Sequence, residues 1–133
     1  MALSELEIKT AVYQFLRGSE LVQAVDGKVY KDALPSNSKK ENIHIGVTAS
    51  DTDQVQDFTV NVNVYVPDVP RQNDMIENGP RLTELAGMCI TLLKSAAYGK
   101  FNFKLKKQRI LAKEGAIPFH VISNALSVQY CSA

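Results

Sequence analysis

Three aspartates, Asp51, Asp53 and Asp57, lie close enough together to suggest oxygen ligands for a calcium ion. An EF-hand loop counted from Asp51 needs an oxygen ligand at its fifth position, glycine at its sixth and glutamate at its twelfth. Val55, Gln56 and Val62 stand there, so the signature fails and Asp51 to Gln54 reads as a solvated connection between strands. The two histidines, His44 and His120, fall within strand-like segments, and neither has a partner at a ligand spacing such as H-x-x-x-H. Cys89 sits on the apolar stripe of a helix and reads as core, and Cys131 as an exposed thiol. No glycine precedes Lys-Ser or Lys-Thr in the manner of a phosphate loop, and no neighbouring carboxylates form an acid–base pair. Catalysis is therefore the less supported expectation rather than an excluded one, since carboxylates distant in sequence can still converge in space, and no metal or cofactor is expected.

One charge feature stands out. Lys100, Lys104, Lys106, Lys107 and Arg109 form a cationic run with no acid among them, in a chain whose formal net charge is only +1. On a regular strand Lys104 and Lys106 share a face, with Phe101 and Phe103 on the other. The lysines can serve simply to discourage edge-to-edge aggregation, or they can line a surface toward phosphates or an acidic partner. The phenylalanines are on the wrong face to stack bases beside those cations, which argues against sequence-specific nucleic-acid recognition.

These residues must be positioned by ordinary folded elements. The 133 residues suit one domain, 1–133, and the balance of 45% hydrophobic and 22% charged residues excludes wholesale disorder. No apolar run is long enough for a spanning helix, and the acidic start Met-Ala-Leu-Ser-Glu-Leu-Glu is unlike a secretory signal, so a reducing cytoplasm is expected. Ser4 and Glu7 suggest a capping box ahead of a helix through Ile8, Val12, Phe15 and Leu16, closed by a left-handed Gly18. Ser19 caps a further short turn, and Lys28–Lys31 reads as a short edge strand after the Asp26-Gly27 turn.

Asn42–Ser50 is a strand, and Phe58–Val66 is the clearest element in the chain. Its valines recur at every second position with Thr59, Asn61, Asn63 and Tyr65 between them, so one face is apolar and the other polar but uncharged. Pro67–Asn73 reads as loop. Gly79-Pro80 opens a helix through Leu82, Leu85, Cys89, Leu93 and Ala96 that closes at Tyr98-Gly99. Two strands follow, one from Phe101 and one over Ile117–Tyr130, with Lys113-Glu114-Gly115 as a turn and a bulge expected near Val121–Ser123 where the apolar parity changes. The expected fold is α+β: one antiparallel or mixed sheet of about five strands with two main helices on one face, in the order α-β-β-β-α-β-β.

The ensemble resembles the tail-completion and tail-terminator (head–tail joining) proteins of tailed bacteriophages. The matching features are the first helix, Val25-Asp26-Gly27-Lys28-Val29-Tyr30, Pro35, the Ile43–Val47 and Phe58–Val66 strands, the Leu82–Leu93 helix and the long last strand. The resemblance implies a phage or prophage virion subunit without enzyme activity. Such subunits form a ring, commonly a hexamer, that caps the tail tube and joins it to the head connector. It implies partners in the tail-tube and head-connector proteins, DNA passing through the lumen, no membrane, and residence in the virion or in the host cytoplasm during assembly. Thr59, Asn61, Asn63 and Tyr65 are the candidate subunit interface, and Lys104 and Lys106 the candidates to face DNA. The alternative is a small cytosolic protein-binding domain that acts through a sheet edge without catalysis.

Overall fold

The computed structural model describes residues 5–35, 38–50, 57–115 and 117–130. Ser4, Asp51, Asp53 and Cys131, and with them the expected capping box and polar connection, lie outside the described residues. The fold is α+β. The described residues form three helices, α1 (Glu5–Arg17), α2 (Glu20–Ala24) and α3 (Gly79–Leu93), around a six-stranded sheet. The sheet strands are β1 (Val29–Tyr30), β2 (Asn42–Ser50), β3 (Asp57–Pro67), β6 (Ser95–Tyr98), β7 (Phe101–Lys113) and β8 (Phe119–Tyr130). Two further strands, β4 (Val69–Arg71) and β5 (Asp74–Ile76), make a separate ribbon. The sheet order is β1-β2-β3-β8-β7-β6, antiparallel except for the parallel β1–β2 pair.

The centre of the sheet follows the alternation in β3. Phe58, Val60, Val62, Val64 and Val66 are all buried, and they meet Ile43 and Ile45 of β2 and Ile122, Leu126 and Val128 of β8 in one core. Ile8, Val12 and Leu16 of α1 and Leu82, Leu85, Cys89 and Leu93 of α3 cover that layer. Helices therefore lie on the valine face alone. Cys89 is core as expected, and burial pushes its thiol up to about 11, against a smaller opposing effect of a hydrogen bond to Asn124.

Several expectations are corrected. The sheet has six strands rather than about five, and a third helix and the β4–β5 ribbon add to the expected order. The Pro67–Asn73 segment is not a loop: β3 runs to Pro67, and Val69–Arg71 pairs with Asp74–Ile76. Pro70 is compatible with a two-stranded ribbon, where a strand has one free edge. The last helix does not reach Tyr98-Gly99, because Ser95–Tyr98 pairs with Phe101–Lys104 through a two-residue turn with Gly99 at φ 59°. Gly18 does not take the left-handed conformation. Instead Ser19 N donates to Leu16 O (2.9 Å), Ser19 Oγ donates to the same oxygen (2.6 Å), and Ser19 Oγ accepts from Val22 N to start α2. The expected bulge near Val121–Ser123 is absent. β8 pairs in unbroken register with β3, and the bulges fall in β2, between Val47 and Ala49, and in β7, between Leu105 and Lys107.

The short β1 is anchored by a polar joint. Gly27 N donates to Glu41 O (3.0 Å), Lys28 N to Asn42 Oδ1 (3.1 Å) and Ile43 N to Lys28 O (2.9 Å). Arg81 at the start of α3 ties the joint to the helices. Its Nε and Nη2 donate to the two oxygens of Glu41 (2.6 and 2.8 Å), and Nη2 also donates to Ala24 O (2.5 Å). The bidentate pair raises the guanidinium pKa, chiefly through the hydrogen bond to Glu41.

A Cβ on Gly27 would collide with Asn42 Oδ1 and Glu41 O, so this position needs glycine for close approach rather than for backbone freedom. Gly27→Ala is expected to destabilise the fold by about 1–3 kcal/mol, read as a lower urea midpoint. Arg81→Met leaves the half-sequestered Glu41 carboxylate without its partner and should cost about 1–3 kcal/mol in the same measurement.

Candidate functional site

With both long helices on the valine face, the opposite face of the sheet carries no helix among the described residues. β3 presents Thr59, Asn61, Asn63 and Tyr65 there, and the pairing sets Ala125, Ser123 and Val121 of β8 beside the last three of these. His44 and Gly46 of β2 stand opposite Asn63 and Asn61. These β3 side chains are half-buried, and Asn63 Oδ1 is buried without accepting a hydrogen bond from any of the described residues. A buried amide oxygen without a donor carries an unmet desolvation cost. The sequence patterning identified the face, but not which of its atoms lacks a partner.

The far side of this face is cationic. Lys104 pairs with Ser127, Lys107 with Ala125, Arg109 with Ser123 and Lys113 with Phe119, so these side chains share the helix-free face. Lys106 is the residue that the bulge skips, and it borders the same hollow as Lys104, together with Asn102, Ser127 and Gln129. Lys104 and Lys106 thus border one hollow, although the bulge breaks the regular alternation that would align them. The structure adds Lys107, Arg109 and Lys113, which a regular alternation would not have aligned with both. The parity shift at the bulge is what sequence reasoning missed.

The bare face is concave at one end. A hollow of about 380 Å³ is lined by Leu34 and Pro35 from the β1–β2 connection, His44 and Tyr65 from β2 and β3, and Lys113 and Phe119 from β7 and β8. Phe119 meets Tyr65 edge to face (6.0 Å between centroids), and Lys113 Nζ lies 4.9 Å from the Tyr65 ring centre. His44 is held below its ordinary value near 6.5, first by burial and then by the positive charges of Lys9 and Lys113, with Asp32 opposing.

His120 is on the other face, near the ribbon. Its Nδ1 lies 2.7 Å from Asp68 Oδ1 and its Nε2 3.7 Å from Glu77 Oε2, so it pins the connection around β4 and β5 to β8. Sequence spacing could not have shown this gathering, because Asp68 and His120 lie 52 positions apart. No serine or cysteine is hydrogen-bonded to this histidine among the contacts of the described residues, and no group of three or more His, Cys, Asp or Glu side chains among those residues is arranged to hold a metal ion. Among the described residues, no helix is long and apolar enough to cross a membrane.

Compared with known proteins, the sequence matches no family model and no curated protein.

The depressed His44 has a consequence for stability. Below about 6.5 the unfolded chain takes up a proton that the folded chain resists, so stability falls as pH drops through that value and on toward the folded pKa. Thermal melts of the wild type should decline over this range, and those of His44→Gln should decline less. Parallel curves for the two proteins would remove His44 as a source of the acid sensitivity.

Proposed function

We propose that this chain is a non-catalytic structural subunit of the phage tail-terminator or tail-completion type, which closes into a ring, caps the tail tube and joins it to the head connector. The observation that carries this reading is the sheet layered by helices on one side only. Its bare side offers amide, hydroxyl and phenol groups bordered by a row of cations. Groups of that kind contact another protein's surface well, and the buried acceptor of Asn63 has no donor among the described residues. In this reading Thr59, Asn61, Asn63 and Tyr65 meet a neighbouring subunit, and Lys104 and Lys106 face the DNA that passes through the lumen. The order of elements around the Asp26-Gly27 joint, β3 and α3 adds the resemblance. The partners are further copies of the chain, the tail-tube protein and the head-connector protein, in the virion or the host cytoplasm during assembly.

A second reading is a protein-binding module that works through a sheet edge. It draws on β7, which pairs with β6 only as far as Lys104. From Lys106 to Lys113 its outer edge pairs with no strand among the described residues, which leaves backbone donors and acceptors for an added strand.

Purified tail tubes mixed with this protein provide the test. Negative-stain images should show tubes of fixed length with a ring at one end. Tubes that stay uncapped and keep elongating would reject the tail-terminator reading and favour the edge-binding one. Lys104→Glu with Lys106→Glu should leave the fold intact, because both side chains are exposed. Particle infectivity should fall by about tenfold or more if the lysines meet DNA. Unchanged infectivity would remove that role.

A further inference from the structure

The two large apolar side chains left exposed on β7, Ile110 and Leu111 (46% and 42% exposed), point to opposite faces of the sheet. Ile110 pairs with the buried Ile122 and lies on the core face. Leu111 pairs with Val121, which stands beside Tyr65 on the helix-free face. A partner resting on either face would cover one of them and leave the other in water. A strand added at the edge of β7 flanks both, because its side chains alternate between the faces in step with those of β7. The edge is open to such a strand. β6 pairs with β7 only as far as Lys104, and from Lys106 to Lys113 the outer side of β7 pairs with no strand among the described residues.

The charges along this edge select the partner. Lys107, Arg109 and Lys113 share the face of Leu111, and all three are exposed. Among the described residues no carboxylate forms an ion pair with any of them. Side chains facing each other across two strands come close enough for opposite charges to help and like charges to oppose. A second β7 on this edge would set cations beside cations, so the edge disfavours a copy of itself. The helical side offers no comparable match. In the groove that α2 and α3 border around Gly87, the rim acid Glu84 is already ion-paired with Arg81.

We infer that the Lys107–Lys113 edge of β7 receives an extended acidic segment of another protein, paired antiparallel as an added strand. The pattern of that segment follows from the residues it faces. Acids stand opposite Lys113, Arg109 and Lys107, apolar residues opposite Leu111 and Ile110, and small polar residues opposite Ala112 and Gln108. Read along the partner, acids fall at the first, fifth and seventh positions and apolar residues at the third and fourth. Main-chain hydrogen bonds supply affinity, while the charges and the apolar pair fix the register. The inference rests on the edge-binding reading and deepens it by naming the chemistry of the partner.

Nuclear magnetic resonance titration with synthetic peptides tests it. The peptide Glu-Thr-Val-Ile-Glu-Thr-Glu should shift the methyl signals of both Ile110 and Leu111. It should also bind about tenfold or more tightly than Gln-Thr-Val-Ile-Gln-Thr-Gln. Lys107→Glu with Arg109→Glu, both exposed in the wild type, should leave the fold intact and reverse the preference toward Glu-Thr-Val-Ile-Lys-Thr-Lys. An unchanged preference in that variant would overturn the inference. Equal binding of the glutamine peptide, with both methyls shifted, would overturn the acidic partner and leave the edge-binding reading standing. A shift of Leu111 alone would put the peptide on the helix-free face and overturn the added strand. If no peptide moves either methyl, the inference and the edge-binding reading fall together.

Discussion

Strand β3 is paired along its length on both sides, and it turns Phe58, Val60, Val62, Val64 and Val66 into one apolar layer from which the other elements take their positions. Each such side chain contributes about 1.5–3 kcal/mol on burial, so the five together match the whole net stability of an ordinary domain, about 5–15 kcal/mol. A slip of one residue against β2 or β8 would bury Asn61 and Asn63 in their place. The register is therefore held by an energy the fold cannot do without. Both long helices must cover the valine side, and among the described residues no helix covers the polar side.

The ends of that layer are held by polar contacts rather than by more apolar surface. At one end Arg81 joins α3, the end of α2 and the strand entry at Glu41 through paired, charge-assisted hydrogen bonds. At the other, His120 and Asp68 hold the ribbon against β8. Within the core, buried Asn124 donates to Val62 O (3.0 Å) and accepts from Gln108 (2.8 Å), which also donates to Ala86 O (3.0 Å) and so links the sheet to α3. These bonds are directional, and they orient helices that apolar packing alone would leave free to slide. The groove beside Gly87 is a consequence, because α3 is fixed by Arg81 at its start and by Gln108 near its middle.

The charges are distributed by the same geometry. A chain of net charge +1 places cations along β7 on the bare face, while Glu20 and Glu84 rim the helical groove. Near-neutrality overall thus conceals a row of cations on one face, while on the helical side Glu84 is ion-paired to Arg81.

Local periodicity alone determined the two-faced β3, the core positions of α1 and α3, the start of α3 at Gly79-Pro80 and the short edge strand after Asp26-Gly27. Each depends on residues within a few positions of one another, where side-chain spacing already states which way a residue points. Pairing over long separations decided the rest. Ser95–Tyr98 has the composition of a helix end but became a strand because Phe101–Lys104 lay ready to pair with it. Phe119 and Val121 suggested a bulge because their partner Tyr65, on the helix-free face, is far away in sequence. The alignment of Lys107 and Arg109 with Lys104 depends on a bulge that no residue of β7 announces. The meeting of His120 with Asp68, and of α2 with α3 around Gly87, required the chain to close on itself. The sequence by itself specified which residues face inward, since that follows from local spacing and the aversion of apolar groups to water. Only the tertiary structure decided which outward-facing residues stand together, because neighbours on a surface are chosen by the path of the whole chain.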